Sequence, residues 1–473
     1  MTRRVKNQQI GNPFSRFRPL VFSRLIIIAI FLAISISPSL AQQTGKQEIV
    51  KKVLDNGLTL VVKPEKGSGI VAVIAMIKTG TAQESIQNAG IGNYVAQLLL
   101  ASTRMSSAEE VAAVADGVGG NIAAQWHQDF AEIRTVTTSV MFNRAMSLIG
   151  ECITDANFEG KWVEEVRTDL TRRINAQSDD VFEKAYLDLK QQLYEDNGYK
   201  RPELGFARTI KLANTRDLTK FHSTYYVPNN IVIAVAGDVT VDQAVDRAEK
   251  AFAGIPKSQL PTNRGMPDEE LDRSKFHASE VDLGAACLMM GWLAPSVNSE
   301  DYPAVSVLAN ALGGGKGSIF FRELRQKRGL GYDVGVMYPR LQYQSHLVAY
   351  IITDPFKFAI GDIGPELVLD DVKNAMLEQV EQIKDKPLSE KDLERAKGYT
   401  VGSYTLSHQH MLDRAFELGW LETVGASYQM YAGFPDAVEK VTSADVQRVA
   451  KKYLTNYAAV LYLPKAQSST DSE

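Results

Sequence analysis

Runs of apolar residues along the chain predict buried β-strands near the start of each of its two halves. Residues 57–62 and 70–77 form two such runs, and residues 286–292 form a third. Short apolar runs bounded by turn residues are typical of buried strands. Helix N-termini are marked as well, because Ser107 precedes two glutamates and Ser389 follows Pro387. The pattern predicts an α+β fold.

A helix–turn–strand pattern occurs twice in the chain. Asp217 and Tyr225 precede an apolar run at residues 231–235, and Asp445 and Tyr453 precede residues 459–462 with the same spacing. Repeats of this kind indicate related structural units. We therefore predict two homologous domains, each an antiparallel-rich sheet with helices packed on it. Their predicted bounds are residues 48–258 and 275–465, joined by a proline- and charge-rich linker at 259–274 and followed by a polar tail at 466–473.

The N-terminus has the pattern of an export signal. Six lysines and arginines and no acidic residue lie within residues 1–24, an apolar run covers residues 25–36, and small residues precede Ala41. The apolar run is short for a membrane-spanning helix, which needs about 20 residues. We expect cleavage after Ala41 and export to the periplasm or an equivalent compartment. The alternative is an uncleaved anchor at residues 20–36, which is the only membrane contact that we expect.

Composition removes several classes of protein. Lys plus Arg is 52 and Asp plus Glu is 56, a net charge of −4, which gives no electrostatic case for binding nucleic acid. Hydrophobic residues at 45% and charged residues at 23% are ordinary for a soluble globular protein. The cysteines, Cys152 and Cys287, are too few for a disulfide scaffold or a cysteine-based zinc module. Two separate buried thiols are expected, with a single bridge as the alternative.

Glycine-rich segments fail the nucleotide-binding motifs. Residues 313–318 include Lys316, but Gly317 stands where a phosphate-binding loop needs a hydroxyl for magnesium. Residues 117–120 fail the dinucleotide motif because Ile122 replaces its last glycine. Neither segment predicts an ATP- or NAD-dependent enzyme.

Residues 80–84 and 89–98 resemble the active-site helix region of the pitrilysin/insulinase-type zinc peptidases, the inverzincins, which include the mitochondrial processing peptidase. Residues 119–124, 226–230 and 236–239 extend the resemblance over nearly the whole chain after the leader. The resemblance implies two homologous peptidase-like domains that form one half of a clam-shell.

The zinc motif itself is degenerate. Active members of this family carry H-x-x-E-H, in which two histidines bind zinc and the glutamate acts as general base. The matching positions hold Asn93, Ala96 and Gln97, and our alignment places Arg173 at the third zinc ligand. Of the six histidines only His408 and His410 are close in sequence, and at i, i+2 they point to different sides of a helix. We expect no metal on this chain.

The second half matches the family at an arginine–tyrosine pair. Arg325 and Tyr332 have the residue types and spacing of a pair that, in this family, reaches the active site and stabilises the oxyanion. The structural alternative is that Arg325 caps a helix and Tyr332 is a strand residue with a bonded hydroxyl. In the first half, Asn121, Ile122, Ala123 and Ala124 are expected to bind peptide as an edge strand, with a buried hairpin strand as the alternative.

Together these resemblances imply a non-catalytic subunit of an exported zinc metallopeptidase. It would bind peptide and donate Arg325 and Tyr332 to a homologous partner subunit with an intact H-x-x-E-H motif, which holds the zinc. The alternative is a stand-alone peptide-binding or scaffold protein on a degenerate peptidase fold, because fold and function separate readily. A protease active alone would need zinc ligands that this chain lacks.

Overall fold

The first six strands form one mixed sheet. The computed structural model describes residues 48–465 apart from 159, 178, 263–264, 283 and 355–364. The strands are β1 Val50–Val53, β2 Thr59–Pro64, β3 Ile70–Ile77, β4 Ala123–Trp126, β5 Ala131–Thr138 and β6 Ile231–Gly237. They lie in the order β1-β2-β6-β3-β5-β4. Strands β2 and β6 run parallel, and all other neighbours run antiparallel.

Among the described strands, the second sheet repeats this topology without a counterpart of β1. Its strands are β7 Lys275–Val281, β8 Ala286–Ala294, β9 Asp333–Met337, β10 Ser345–Thr353 and β11 Ala458–Pro464. They lie in the order β7-β11-β8-β10-β9, with β7 and β11 parallel and the rest antiparallel. Each strand matches one of the first sheet in position and direction. The predicted α+β fold with an internal repeat is therefore confirmed.

Helices connect and cover the strands. In the first half they are α1 Ile91–Leu98, α2 Ala108–Val118, α3 Phe142–Thr154, α4 Lys161–Gln177, α5 Val181–Leu193, α6 Ala207–Leu212, α7 Thr215–Tyr225 and α8 Val241–Ala251. In the second half they are α9 Tyr302–Gly313, α10 Pro365–Asp385, α11 Glu390–Leu406, α12 Met411–Thr423, α13 Met430–Glu439 and α14 Ser443–Tyr453. Short 3₁₀ turns cover Thr81–Gln83, Gly198–Lys200 and Pro228–Asn230, and a π-helix covers Phe321–Lys327.

Side-chain caps begin several of these helices where the sequence predicts. The hydroxyl of Ser107 accepts the backbone N–H of Glu110 at 3.3 Å, and the Glu110 carboxylate accepts that of Ser107. Ser389 accepts the N–H of Asp392 at 3.2 Å at the start of α11. These bonds satisfy donors that a helix N-terminus leaves unpaired, which stabilises each helix by about 1 kcal/mol.

The two halves exchange one helix each. Helix α5 of the first half packs against β8 and β11 of the second sheet, and α12 of the second half packs against β3 and β6 of the first. Leu418 and Leu421 of α12 are fully buried there, and each contributes about 1.5–3 kcal/mol of hydrophobic stabilisation. Both sheets lie within the predicted domain bounds, but each depends on a helix from the other half.

The two cysteines occupy separate cores. Cys152 is buried among the helices of the first half, Cys287 is buried beneath α5 in the second, and both are free thiols. Within the part of the chain that the structure describes, no helix is both long enough and apolar enough to span a membrane. The predicted leader at residues 1–41 and the tail at 466–473 lie outside the described residues.

Candidate functional site

Helix α1 carries the degenerate motif positions on one face. Asn93 is 3% exposed and Ala96 is fully buried, whereas Gln97 is half-buried. The Gln97 side-chain amide donates to Asn93 Oδ1 at 3.4 Å. The i, i+4 pair is therefore present as predicted, but its two polar heads bind each other.

The residues on this face do not fit zinc. Zinc in proteins selects imidazole, thiolate and carboxylate donors, whereas Asn93 and Gln97 offer neutral amides and Ala96 offers a methyl group. Within the described parts of the chain, no group of three His, Cys, Asp or Glu side chains is arranged to hold a metal ion. Alanine also cannot accept the proton that the family's glutamate takes from water.

A buried carboxylate that the sequence did not single out anchors this helix. Glu84, 6% exposed, accepts the backbone N–H groups of Gly90 at 3.0 Å and Gly92 at 2.8 Å. Burial raises the pKa of Glu84 to about 7, against the opposing effect of those two bonds and of the Arg201 cation. The only sequence signal was an acidic residue shortly before a glycine-rich helix start. Through these bonds Glu84 positions the start of α1.

Close packing fixes α1 against the end of β4. A Cβ atom at Gly92 would lie 2.0 Å from the Trp126 ring, so only glycine fits there. The Trp126 ring in turn makes an edge contact with Phe221 of α7, with centroids 6.0 Å apart. Strand β4, helix α1 and helix α7 therefore form one rigid wall.

Arg173, aligned by sequence with the third zinc ligand, lies exposed on α4. Helix α4 packs against α1 through other residues: the Tyr94 hydroxyl donates to the Val163 carbonyl at 2.5 Å, and the Arg167 guanidinium lies 5.6 Å from the Tyr94 ring centroid. Neither a hydrogen bond nor an ion pair joins Arg173 to the motif side chains in the described structure.

The candidate peptide-binding segment lies at a sheet edge. Strand β4 pairs only with β5 among the described strands, so its other side has no strand neighbour. Ala123 and Ala124 belong to β4 and are half-buried, while Asn121 and Ile122 immediately precede it. Strand β4 therefore lies at the edge of the sheet, whereas the alternative would make it a buried hairpin strand.

Charged groups behind this edge were not expected from the sequence. Glu132 of β5 is fully buried, with Oε1 at 3.5 Å from His127 Nε2 and 3.3 Å from an Arg134 nitrogen. A charged residue at an inward position of a strand was the signal that sequence reasoning missed. The cluster places a buried carboxylate between the His127 imidazole and the Arg134 guanidinium beside β4.

Arg325 and Tyr332 are exposed and their polar heads are unpaired. Arg325 lies in the π-helix with its guanidinium 4.8 Å from the Phe321 ring centroid. Tyr332 is 54% exposed and donates its backbone N–H to the Ile352 carbonyl at 3.1 Å. Neither side-chain head has a hydrogen-bond or ion-pair partner among the described residues. The structural alternative would instead have the Arg325 guanidinium cap a helix and the Tyr332 hydroxyl form a hydrogen bond. Partial burial and nearby acidic groups raise the pKa of Tyr332.

Two arginines hold the glycine-rich loop that precedes this π-helix. Arg322 donates to the Gly317 carbonyl at 2.8 Å and to Asp392 Oδ1 at 2.7 Å. Arg395 of α11 donates to the Gly314 carbonyl at 3.0 Å. These bonds fix the backbone from which Arg325 projects.

The histidines have ordinary structural surroundings. His222 Nε2 donates to the Ile153 carbonyl at 2.7 Å, and burial lowers its pKa to about 4. His346 is buried between Tyr186 and Tyr194, whose hydroxyls lie 2.7 Å and 2.8 Å from its ring nitrogens. The remaining four are His127 beside Glu132, His408 beside Glu417, and the exposed His277 and His410.

Models of one peptidase family match both halves of the chain. Residues 60–205 match the family "Insulinase (Peptidase family M16)", and residues 213–399 match the "Peptidase M16 inactive domain". An uncharacterized zinc protease of Rickettsia bellii is 23% identical over 410 residues, covering 86% of this chain and 95% of that protein.

Solved structures share the fold. A protease from Helicobacter pylori superposes with a TM-score of 0.81 at 20% identity, covering 88% of this chain and all of that one. A peptidase M16 inactive domain from Pseudomonas fluorescens gives a TM-score of 0.78 at 20% identity, covering 89% and 99%. With both halves matched in sequence and fold, this chain belongs to the insulinase (M16) family of peptidases.

Proposed function

We propose that this chain is the non-catalytic subunit of an exported zinc metallopeptidase. It binds peptide and donates Arg325 and Tyr332 to the H-x-x-E-H site of a homologous partner subunit, which holds the zinc. One contrast carries the proposal: the motif face of α1 offers no metal donors, whereas the exposed polar heads of Arg325 and Tyr332 are unpaired in the described structure.

The chemistry of the pair suits an oxyanion. Peptide hydrolysis passes through a tetrahedral intermediate whose oxygen gains negative charge, and fixed donors aimed at that oxygen lower the barrier. Arg325 supplies a cation that no described carboxylate neutralises. Tyr332, with its raised pKa, keeps its phenolic proton at neutral pH and can donate it. Neither role needs a metal on this chain.

Strand β4 supplies the second part of the proposal. An extended peptide can join a sheet as an additional strand when an edge has unpaired backbone groups. The outer side of β4 has no strand neighbour in the described structure, and the close contact of Trp126 with Gly92 holds the strand against α1. Peptide bound here would lie beside the motif helix.

The proposed location rests on the N-terminal sequence pattern. The basic and apolar pattern of residues 1–41 supports export to the periplasm or an equivalent compartment, with an N-terminal anchor at residues 20–36 as the alternative. The proposal therefore requires a partner subunit that is exported as well.

Reconstitution tests the proposal. Residues 42–473 are co-purified with an H-x-x-E-H homologue from the same organism, and peptide cleavage is assayed for each chain alone and for the pair. We expect activity only in the pair, and a loss of about 10²-fold or more in kcat with Arg325→Ala or Tyr332→Phe. Arg328→Ala, which removes an exposed cation paired with Glu378 at 2.7 Å, serves as the matched control.

The same experiment separates the alternative function. If no complex forms and the zinc-containing chain is equally active alone, the subunit proposal is wrong. Peptide binding by residues 42–473 alone would then support a stand-alone peptide-binding protein on a degenerate peptidase fold.

A further inference from the structure

A pocket of about 470 Å³ opens beside the N-terminal end of α1 and has no role in the proposed function. Its walls come from the 3₁₀ turn at Thr81–Gln83, the start of α1, and helices α6 and α7. Pockets of a few hundred Å³ with an apolar lining and a few convergent polar groups are the usual sites for small ligands and single side chains.

The polar wall of the pocket presents hydrogen-bond donors. Gln83 Oε1 accepts the backbone N–H of Gly80 at 2.7 Å, and Asn88 Oδ1 accepts that of Ser85 at 2.6 Å. The carbonyl oxygens of both amides are thus engaged, which leaves the NH₂ groups as the donors available to a ligand. Neither NH₂ group has an acceptor among the described residues.

The charged rim adds a cation and one anion. Lys220 lines the pocket and forms no ion pair among the described residues, although Asp217 lines the same pocket. Asp217 instead accepts the backbone N–H of Asn214 at 3.1 Å and completes the cap of α7. Two amide donors and an unpaired ammonium group favour an anionic ligand, most simply a carboxylate.

The floor and outer lip of the pocket are apolar. Ile91 and Phe221 are 5% and 6% exposed and form the floor. Leu212 is 67% exposed at the lip, so most of its side chain is not covered by the described residues. The carboxylate ligand that suits this pocket therefore also carries an apolar group.

We propose that this pocket binds the C-terminal carboxylate of a peptide whose last residue is apolar. The carboxylate contacts the amides of Gln83 and Asn88 and the ammonium of Lys220, while the last side chain packs on Phe221. A peptide fits better than a free small acid because the lip is open to solvent, where the preceding residues can leave the pocket. Phe221 contacts Trp126 at the end of β4, so the pocket and the edge strand share one wall.

The inference depends on peptide binding by the first half and on neither the partner subunit nor Arg325 and Tyr332. It is tested on residues 42–473 alone, by fluorescence anisotropy with a fluorescein-labelled alanine–serine hexapeptide ending in phenylalanine. The peptide is prepared as the free acid and as the C-terminal amide. We expect the free acid to bind at least about tenfold more tightly than the amide, since charge-assisted hydrogen bonds are lost in the amide.

Two variants locate the binding. Lys220→Gln removes the cation and Leu212→Asp places a negative charge at the exposed lip, and each should weaken binding of the free acid at least about fivefold. Arg216→Gln, an exposed residue of α7 that does not line the pocket, should leave binding unchanged. Circular dichroism confirms that each variant is folded. Equal affinity for acid and amide, no binding of the acid, or normal binding by both pocket variants would overturn the proposal.

Discussion

Replacing Glu84 by glutamine should change how the stability of the fold depends on pH. The Glu84 carboxyl is 6% exposed and caps α1 through the N–H groups of Gly90 and Gly92. Burial outweighs these bonds and the Arg201 charge, and raises the pKa of Glu84 from 4.5 to about 7. The Glu84→Gln variant keeps the shape of this side chain but cannot ionise.

The sign and size of the effect follow from proton linkage. Between pH 4.5 and about 7 the folded protein keeps a proton on Glu84 that the unfolded chain has released. The free energy of unfolding therefore falls as pH rises through this window. One pH unit corresponds to about 1.4 kcal/mol, so the group changes the stability by about 3 kcal/mol over the whole window.

Urea denaturation followed by tryptophan fluorescence at several pH values from 4 to 8 measures this effect. The free energy of unfolding of the wild type minus that of Glu84→Gln should fall by about 3 kcal/mol across the window, because all other groups cancel. Glu270→Gln, at an exposed position, corrects for a simple change of charge. A difference that stays constant, or that grows with pH, would refute the reasoning and make Glu84 a permanently charged cap.

Three further changes test other contacts by the same denaturation method. Gly92→Ala places a Cβ 2.0 Å from the Trp126 ring and should destabilise the protein by about 2 kcal/mol or more; a neutral effect would contradict the packing. Arg340→Met removes the 2.6 Å ion pair of buried Glu417 and should cost about 3 kcal/mol, which adding Glu417→Leu should largely restore. Burial lowers the pKa of His346 from 6.5 to about 3, so as pH falls from 7 to 5 the unfolded chain binds a proton that the folded protein does not. The free energy of unfolding should therefore fall by about 2 kcal/mol over this range, and His346→Gln should abolish this contribution.

Local chemistry made much of the fold predictable. Strands β3 and β8 coincide with apolar runs, and Ser107 and Ser389 cap helices as their neighbours indicate. The degenerate motif was also visible, because metal binding depends on donor atoms that residues 93–97 do not carry. These features depend on residues only a few positions apart, so the sequence displays them directly.

Contacts between distant segments were not predictable. The pattern of α5 marks an apolar face but not the sheet that the face covers, and α5 packs on the second sheet rather than the first. The acidic residue before a glycine-rich helix start did not show that Glu84 is buried while Glu109 is exposed, because the burial of Glu84 is set by the packing of Gly90, Gly92 and Arg201 around it.

The sequence by itself determined that the zinc-binding side chains are missing from the motif positions and that the arginine–tyrosine pair is present. Residue types and their spacing can be read from the chain directly. The tertiary structure decided which of those groups are available. It placed β4 at a sheet edge, left the heads of Arg325 and Tyr332 exposed, and brought Gln83, Asn88 and Lys220 together in the wall of one pocket. Exposure and burial depend on how distant segments pack, because the atoms that exclude water from a side chain belong to residues far away in sequence.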